Sequence, residues 1–527
     1  MRRTIVNEIT TQSMHPKYHA NASPDKVAIH MLGSGEAITY RELEQKSNQG
    51  ANFLRALGLK PGDRMAICLR NCKQFFYIYW AAQRSGYYLT PVSTHLNIRE
   101  VAYIVNDCSA SVLIVSEGVS CDAAEIKSFC PNLKHIFSVG ESKIFDSWDE
   151  LTSTSSINSI RDEVGGHTMF YSSGTTGHPK GIEITFAGNS IEKPPATMLA
   201  FSQKLHYDDK TVYLVPAPLY HAAPLGFSAH IHRLGGVVVV MEKFDELDFL
   251  RAIEKYQVTH TQVVPTMFIR LLRLPDSVKN SFDCSTLRSV LHSAAPCPIE
   301  VKEKMIDWFG PCIDEQYSGS EGVGCTLIKS DEWLERKGSV GRAIFGEIGI
   351  FSNDGQRLGD SHVGGIYFKS ERIIRYRNDP EKTAQSKLPG GWFTLGDVGY
   401  MKDGYLFLSD RVSDMIISGG VNIYPKESED VLILHPKVAD VAVFGIPHPE
   451  FGEEVKAAVQ LLNGYEASPE LVAELLEYCR SHLSPQKCPR TIDFEAQLPR
   501  MENGKLYKRL LKEKYMRTGA DPAMMVG

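Results

Sequence analysis

Along most of this chain, short apolar runs alternate with helix-length amphipathic segments, and that rhythm limits the fold more tightly than any other feature of the sequence. Thr39-Tyr40-Arg41-Glu42 reads as a capping box that opens a helix, with Leu43, Ala51, Leu54 and Leu57 on its apolar side and Gly58 at its end. Residues 65–69 form a strand-length apolar run, 75–84 a helical one, 87–92 another strand, 97–106 a helix and 111–115 an extended segment. After residue 210 the pattern returns: buried strands are expected at 237–241, 259–264 and 287–291, with helices around 249–256, 266–272 and 299–309. Continuous apolar strands need both faces covered. The expected class is therefore α/β, with a large N-terminal domain of mostly parallel, helix-covered sheets.

From about residue 338 to 410, Gly and Pro become frequent and the apolar runs shorten, which predicts a β-rich lobe. A last unit over 411–527 carries strand patterns at 438–446 and 455–462, then a helix with Ser468 as N-cap and Pro469 at its first position. Leu471, Val472, Leu475, Leu476, Cys479 and Leu483 give that helix one apolar face. The expected organisation is an N-terminal domain over 1–410, including the lobe, and a small α+β C-terminal domain over 411–527.

Composition excludes several classes. Lys and Arg together number 57 against 63 Asp and Glu, a net charge of −6, so there is no basic field for a phosphate backbone and nucleic acid is not an expected partner. Eleven scattered cysteines without metal-ligand spacing read as free thiols in a reducing compartment. The start lacks the continuous apolar region of a secretory signal, and no run approaches the roughly 20 apolar residues of a membrane span. A soluble, cytoplasmic protein without a transmembrane segment is expected.

The stretch that carries most chemistry is Tyr171-Ser172-Ser173-Gly174-Thr175-Thr176-Gly177-His178-Pro179-Lys180-Gly181. Its amides and hydroxyls can wrap phosphate oxygens while Lys180 supplies positive charge. The spacing is not that of a Walker loop: Gly174 and Gly177 are three apart, and Lys180 is followed by glycine.

This loop resembles the phosphate-binding signature of the adenylate-forming superfamily, which holds acyl-CoA synthetases, peptide-synthetase adenylation domains and luciferases. Further segments resemble it in the same order: Gln316-Tyr317-Ser318-Gly319-Ser320-Glu321, Leu395-Gly396-Asp397, residues 410–425, and Met501-Glu502-Asn503-Gly504-Lys505. The resemblance implies a large N-terminal part and a mobile C-terminal domain. It also implies a two-step reaction, in which a carboxylate attacks the α-phosphorus of ATP and a thiol then displaces AMP from the acyl-adenylate.

Site roles follow from the same resemblance. Ser172, Ser173, Gly174, Thr175, Thr176, Gly177 and Lys180 would hold ATP phosphates. Ala294, Ala295 and Pro296 would line the adenine pocket with Gln316, Tyr317, Ser318 and Gly319, and Tyr317 would pack on the base. Glu321, with Ser320, would bind Mg2+, for which a hard oxygen donor is suited. Asp397 would accept hydrogen bonds from the ribose, and Arg411 would contact ribose or phosphate. Lys505 would bridge the substrate carboxylate and the α-phosphate in the first step only. Ser413 would be the hinge, where the family usually has Asp or Lys. Gly419 and Gly420 would line the path of coenzyme A. Leu395 for Thr and Ser318 for Gly are further departures from the family pattern.

For the acid, Pro218-Leu219-Tyr220-His221 and the residues after it resemble the segment flanking the acyl pocket, with His221 bordering the carboxylate and gating the thiol. Ala222, Ala223, Gly226 and Gly319 are small, and no Arg or Lys occurs from 212 to 231, so an apolar monocarboxylic acid is expected, fatty or bulky, rather than a dicarboxylate. The wording is most similar to bacterial fatty-acyl and steroid-type acyl-CoA ligases. The thiol acceptor is CoA or, alternatively, a carrier protein acting in trans. A third reading is a nucleotide-binding homologue without activity. Oligomeric state is left open, a homodimer included.

Overall fold

The computed structural model describes residues 14–116, 123–172, 179–186, 188–411, 414–418, 421–500 and 506–518. Two sheets dominate the N-terminal part. In the smaller, Arg64–Cys68 lies between Tyr88–Pro91 and Val112–Ser116, with His135–Val139 beyond, all parallel. In the larger, Val27–Met31, Val237–Val240, Val212–Val215, His260–Val263, Ser289–His292 and Ile313–Ser318 run parallel in that spatial order. The expected strands and helices are present to within a few residues, and helices such as Lys73–Arg84 and Glu246–Tyr256 bury their apolar faces against the sheets.

The β-rich lobe is continuous with the large sheet: Cys325–Ile328, Ser339–Phe345, Tyr405–Arg411, Trp392–Lys402 and Gly364–Lys369 extend the parallel sheet antiparallel, each bonded to the next. Two expectations are corrected. Arg411 is the last residue of that sheet's strand Tyr405–Arg411, not the first of a new unit. Thr39 does cap its helix by accepting from the Glu42 amide, but the Glu42 carboxylate accepts from the Tyr77 hydroxyl at 2.6 Å, which takes it away from a reciprocal box. The complete capping box lies instead at Asn97 and Glu100, opening the helix Ile98–Asp107.

The C-terminal part has its own sheet, with Val438–His448 antiparallel to Gly452–Leu461 and Thr491–Phe494 parallel to the latter. Ser468 caps the helix Pro469–His482, whose Leu471, Leu475 and Cys479 enter a separate core. Where this part meets the N-terminal part, Leu434 packs against the core of the large sheet and the Arg273 guanidinium donates to the carbonyls of Val438 at 2.9 Å and Ala439 at 3.3 Å. Among the described residues no helix is long and apolar enough to cross a membrane.

Candidate active site

Three loops leave the carboxyl edge of the large sheet. Val212–Val215 leads to His221, Ser289–His292 to Ala294, Ala295 and Pro296, and Ile313–Ser318 to Gly319, Ser320 and Glu321. Strand ends in a parallel sheet converge there, which makes the edge the natural place for a ligand. Ala294 stands at φ +72°, left-handed for a residue with a Cβ, and its strain marks the turn of that loop.

The segment around Glu321 is compact. Tyr317 is buried, packs its ring on Phe368 at 5.9 Å and donates to Asp397 Oδ2 at 2.7 Å. Asp397 in turn is the cross-strand neighbour of Arg411. Gly319 lies so close to the Glu321 carboxylate and to Leu395 that a Cβ there would collide with both. Tyr376 donates to Glu321 Oε1 at 2.9 Å, and burial followed by that carboxylate keeps its phenol well above its ordinary pKa. Arg372 is packed against Gly322; burial lowers its pKa and Glu321 opposes that. The Ser318 hydroxyl is spent on the Gly324 carbonyl at 2.8 Å, Gln316 is buried on its strand, and Ser320 is exposed beside Glu321.

Both flanks of the segment expected to bind phosphate are anchored. Tyr171 donates to Asp107 at 2.6 Å, Tyr103 donates to the Pro179 carbonyl at 3.2 Å, and Ser172 pairs with Lys180 across two short antiparallel strands. The Lys180 ammonium lies 2.7 Å from Asp379 Oδ2, and that bond raises its pKa. Asp379 also caps the helix Pro380–Gln385 by accepting from the Lys382 amide at 2.8 Å.

His221 precedes the helix Ala222–Leu234, its ring against Tyr220 at 4.6 Å, and burial pushes its pKa down to about 4, so the imidazole is neutral at physiological pH. The loop that carries it is fixed by Asn71, a buried amide that accepts from the Leu219 amide at 2.8 Å and donates to the carbonyls of Ala217 and Met241. Ala222, Ala223 and Gly226 lie on the half-buried side of the helix.

The structure thus brings together Tyr317, Gly319, Glu321, Asp397 and the backbone of Arg411, and puts the loops of His221 and Ala294 on the same sheet edge. Ser173, Gly174, Thr175, Thr176, Gly177, Ser413, Gly419, Gly420 and Lys505 lie outside the described residues. Sequence reasoning missed Asn71, Arg372, Tyr376 and Asp379. Only Asp379 had a local signal, an N-cap residue followed by Pro380 at the first helical position. Among the described residues no group of three His, Cys, Asp or Glu could hold a metal. One buried carboxylate, Glu321, suits Mg2+, which keeps most of its waters and takes few protein ligands.

Comparison with known proteins agrees with this geometry. The family model for AMP-binding enzymes matches residues 17–375, and the model for the C-terminal domain of AMP-binding enzymes matches 427–505. The chain is 30% identical to the long-chain-fatty-acid–CoA ligase FadD13 of Mycobacterium tuberculosis over 511 residues, 95% of this chain and 98% of that protein. It is 32% identical to a feruloyl-CoA synthase of Amycolatopsis over 512 residues, again 95% and 98%. Among solved structures it is similar to the o-succinylbenzoate CoA synthetase of Bacillus subtilis in complex with an acyl-adenylate intermediate, at a TM-score of 0.79 and 26% identity, covering 95% of this chain and 98% of that one. With one family model spanning the sheets that present Tyr317 and Glu321 and the other spanning the C-terminal part, this chain belongs to the AMP-binding, adenylate-forming enzyme family.

Proposed function

We propose that the protein is an ATP-dependent acyl-CoA ligase for an apolar monocarboxylic acid. The acid attacks the α-phosphorus of ATP, releasing pyrophosphate, and the thiol of CoA then displaces AMP. The observation that carries the reading is the Tyr317–Asp397 bond, which joins two distant motif segments beside Glu321 on the carboxyl edge of the sheet. Relatives named as CoA ligases support the choice of acceptor.

In this reading Tyr317 offers its ring to adenine and Asp397 accepts from the ribose. Lys180 turns from Asp379 toward phosphate oxygens, a move its position at the end of a short strand permits. Glu321, held by Tyr376, supplies the carboxylate for Mg2+, whose charge offsets that of the polyphosphate. Lys505 places a cation where negative charge gathers between acid and α-phosphate, on a C-terminal domain that pivots at Ser413 between the two steps. His221, neutral, borders the acid without pairing with its carboxylate as an ion. Gly419 and Gly420 leave room for the CoA arm.

The test is incubation of the full chain with MgATP, CoA and a panel of fatty, aromatic and steroid acids, following pyrophosphate and searching for acyl-CoA by mass spectrometry. Acyl-CoA formation is expected. Acyl-AMP accumulating without acyl-CoA would overturn the CoA assignment and leave a carrier-protein thiol as acceptor.

A further inference from the structure

The helix Ala222–Leu234 carries an unexplained polar group on its small-residue side. Ala222, Gly226 and His230 succeed one another at helical spacing on one face. The first two are half-buried, whereas His230 is only 1% exposed. Opposite stands the helix Ala196–Leu205, where Met198 and Ser202 are also one turn apart. A Cβ placed on Gly226 would meet only the Met198 methyl, at 3.7 Å, and one turn further on the Ser202 hydroxyl is hydrogen-bonded to His230 Nε2. The two helices therefore face each other along a line that starts near His221, carries small residues and a flexible thioether in contact, and ends at a polar pair.

That pair is incomplete. His230 Nδ1 is buried and has no hydrogen-bond partner. Around it are Phe201, Tyr207 and Phe227, whose rings pack 5.2 to 6.5 Å from one another and from His230. Burial, with Arg233 adding to it, holds the imidazole down at about 3, so the ring is neutral. Arg233, the charge that acts on the ring, directs its guanidinium to the carbonyls of Met14 and Ile191 and over the face of Trp80. A neutral ring with one nitrogen held by a hydroxyl and the other unmatched can take one more uncharged partner, as acceptor or donor according to tautomer. It offers nothing to a second carboxylate.

We propose that His230 and Ser202 form a polar floor to the acyl pocket and select acids that carry a neutral oxygen function, a hydroxyl or keto group, remote from the reacting carboxylate. The inference rests on the acyl-CoA ligase reading and on the His221 end of the helix being where the carboxylate lies. His230 lies nine positions after His221, about 13 Å at a rise of about 1.5 Å per residue. An extended chain of carbon–carbon bonds of about 1.5 Å spans that distance in roughly ten carbons. A site that hydrogen-bonds a substrate oxygen discriminates strongly against the analogue that lacks it, because its own buried group is then left unpaired.

The experiment uses the full chain with MgATP and CoA. It compares octanoic, decanoic and dodecanoic acids with their ω-hydroxy counterparts and with decanedioic acid. At one chain length the hydroxy acid should be preferred, and His230→Leu should lower the ratio of kcat/KM for hydroxy over parent acid by about tenfold or more, through the KM of the acid and with the KM for ATP unchanged. His230→Asn, which keeps hydrogen-bonding capacity, should hold more of the ratio. Should His230→Leu fail to fold, Ser202→Ala gives the same reading by releasing the ring. An equal ratio in wild type and variants, with the parent acids activated, or a preference for the diacid would overturn this inference alone. Failure of every acid to release pyrophosphate would overturn the ligase reading and this inference with it.

Discussion

The Tyr317 hydroxyl donates to Asp397 Oδ2 at 2.7 Å, tying the strand that leads into Glu321 to the strand Trp392–Lys402. Tyr317→Phe keeps the ring against Phe368 and removes the bond. A net hydrogen bond of about 1 kcal/mol corresponds to a rise in the KM for ATP of about fivefold, with kcat little changed. Tyr317→Ala should cost more, since it removes the aromatic surface as well. An unchanged KM in Tyr317→Phe would separate this bond from nucleotide binding.

Glu321 and Tyr376 should set the metal requirement. Titrating Mg2+ in the pyrophosphate-release assay should show a half-saturating concentration raised roughly ten- to hundredfold in Tyr376→Phe, the usual cost of losing a group that orients a metal ligand. Glu321→Gln should raise it further. A thermal melt without nucleotide distinguishes this from unfolding.

Lys505→Ala should lower adenylation by about a hundred- to thousandfold, the scale on which a single charge-stabilising donor acts in a transition state. The thiolation of preformed acyl-AMP should remain within about threefold of wild type. Equal losses in both half-reactions would contradict a domain that alternates between them.

Lys302 and Glu315 form a buried ion pair at 2.7 Å, with the Lys302 side chain wholly inaccessible. Burial pushes the Glu315 carboxyl up, but Lys302 and His292 together more than offset it and hold it down at about 2. His292, 3.4 Å away, also faces the carboxylate, and burial lowers its own pKa. Because the folded-state value lies below the ordinary 4.5, the pair stabilises the fold fully above pH 4.5, and the contribution disappears as pH falls toward 2. Lys302→Met should destabilise by about 3 to 5 kcal/mol, since it strands a buried carboxylate, while Glu315→Gln should flatten the acid limb of stability measured by denaturant titration.

What could be read from the sequence was what local pattern encodes. The strand His260–Val263 and the helix Ile299–Phe309 are legible because burial on a fixed period leaves a mark in the residues themselves. Tyr317, Glu321 and Asp397 are legible because they stand in segments that resemble a family. Asn71 is not: its three partners lie more than a hundred residues away, and nothing near it distinguishes it from any asparagine after a strand. Glu42 misleads for the same reason, since a capping box depends on four neighbouring residues whereas Tyr77, which claims its carboxylate, arrives only with the packing of two helices. The strand Val27–Met31 went unnoticed because His30 interrupts a short apolar run and its partner, Val237–Val240, comes two hundred residues later.

Arg273 holds the C-terminal part by two main-chain carbonyls, and this makes the attachment unequal in what mutation can reach. Every residue has a carbonyl, so substitutions at Val438 and Ala439 leave the acceptors in place, and the sequence of the docked strand can drift without loosening it. Only the guanidinium side can be deleted. An engineer seeking to loosen this one attachment has only the guanidinium to remove, whereas the packing of Leu434 against the N-terminal core would have to be altered from the C-terminal side.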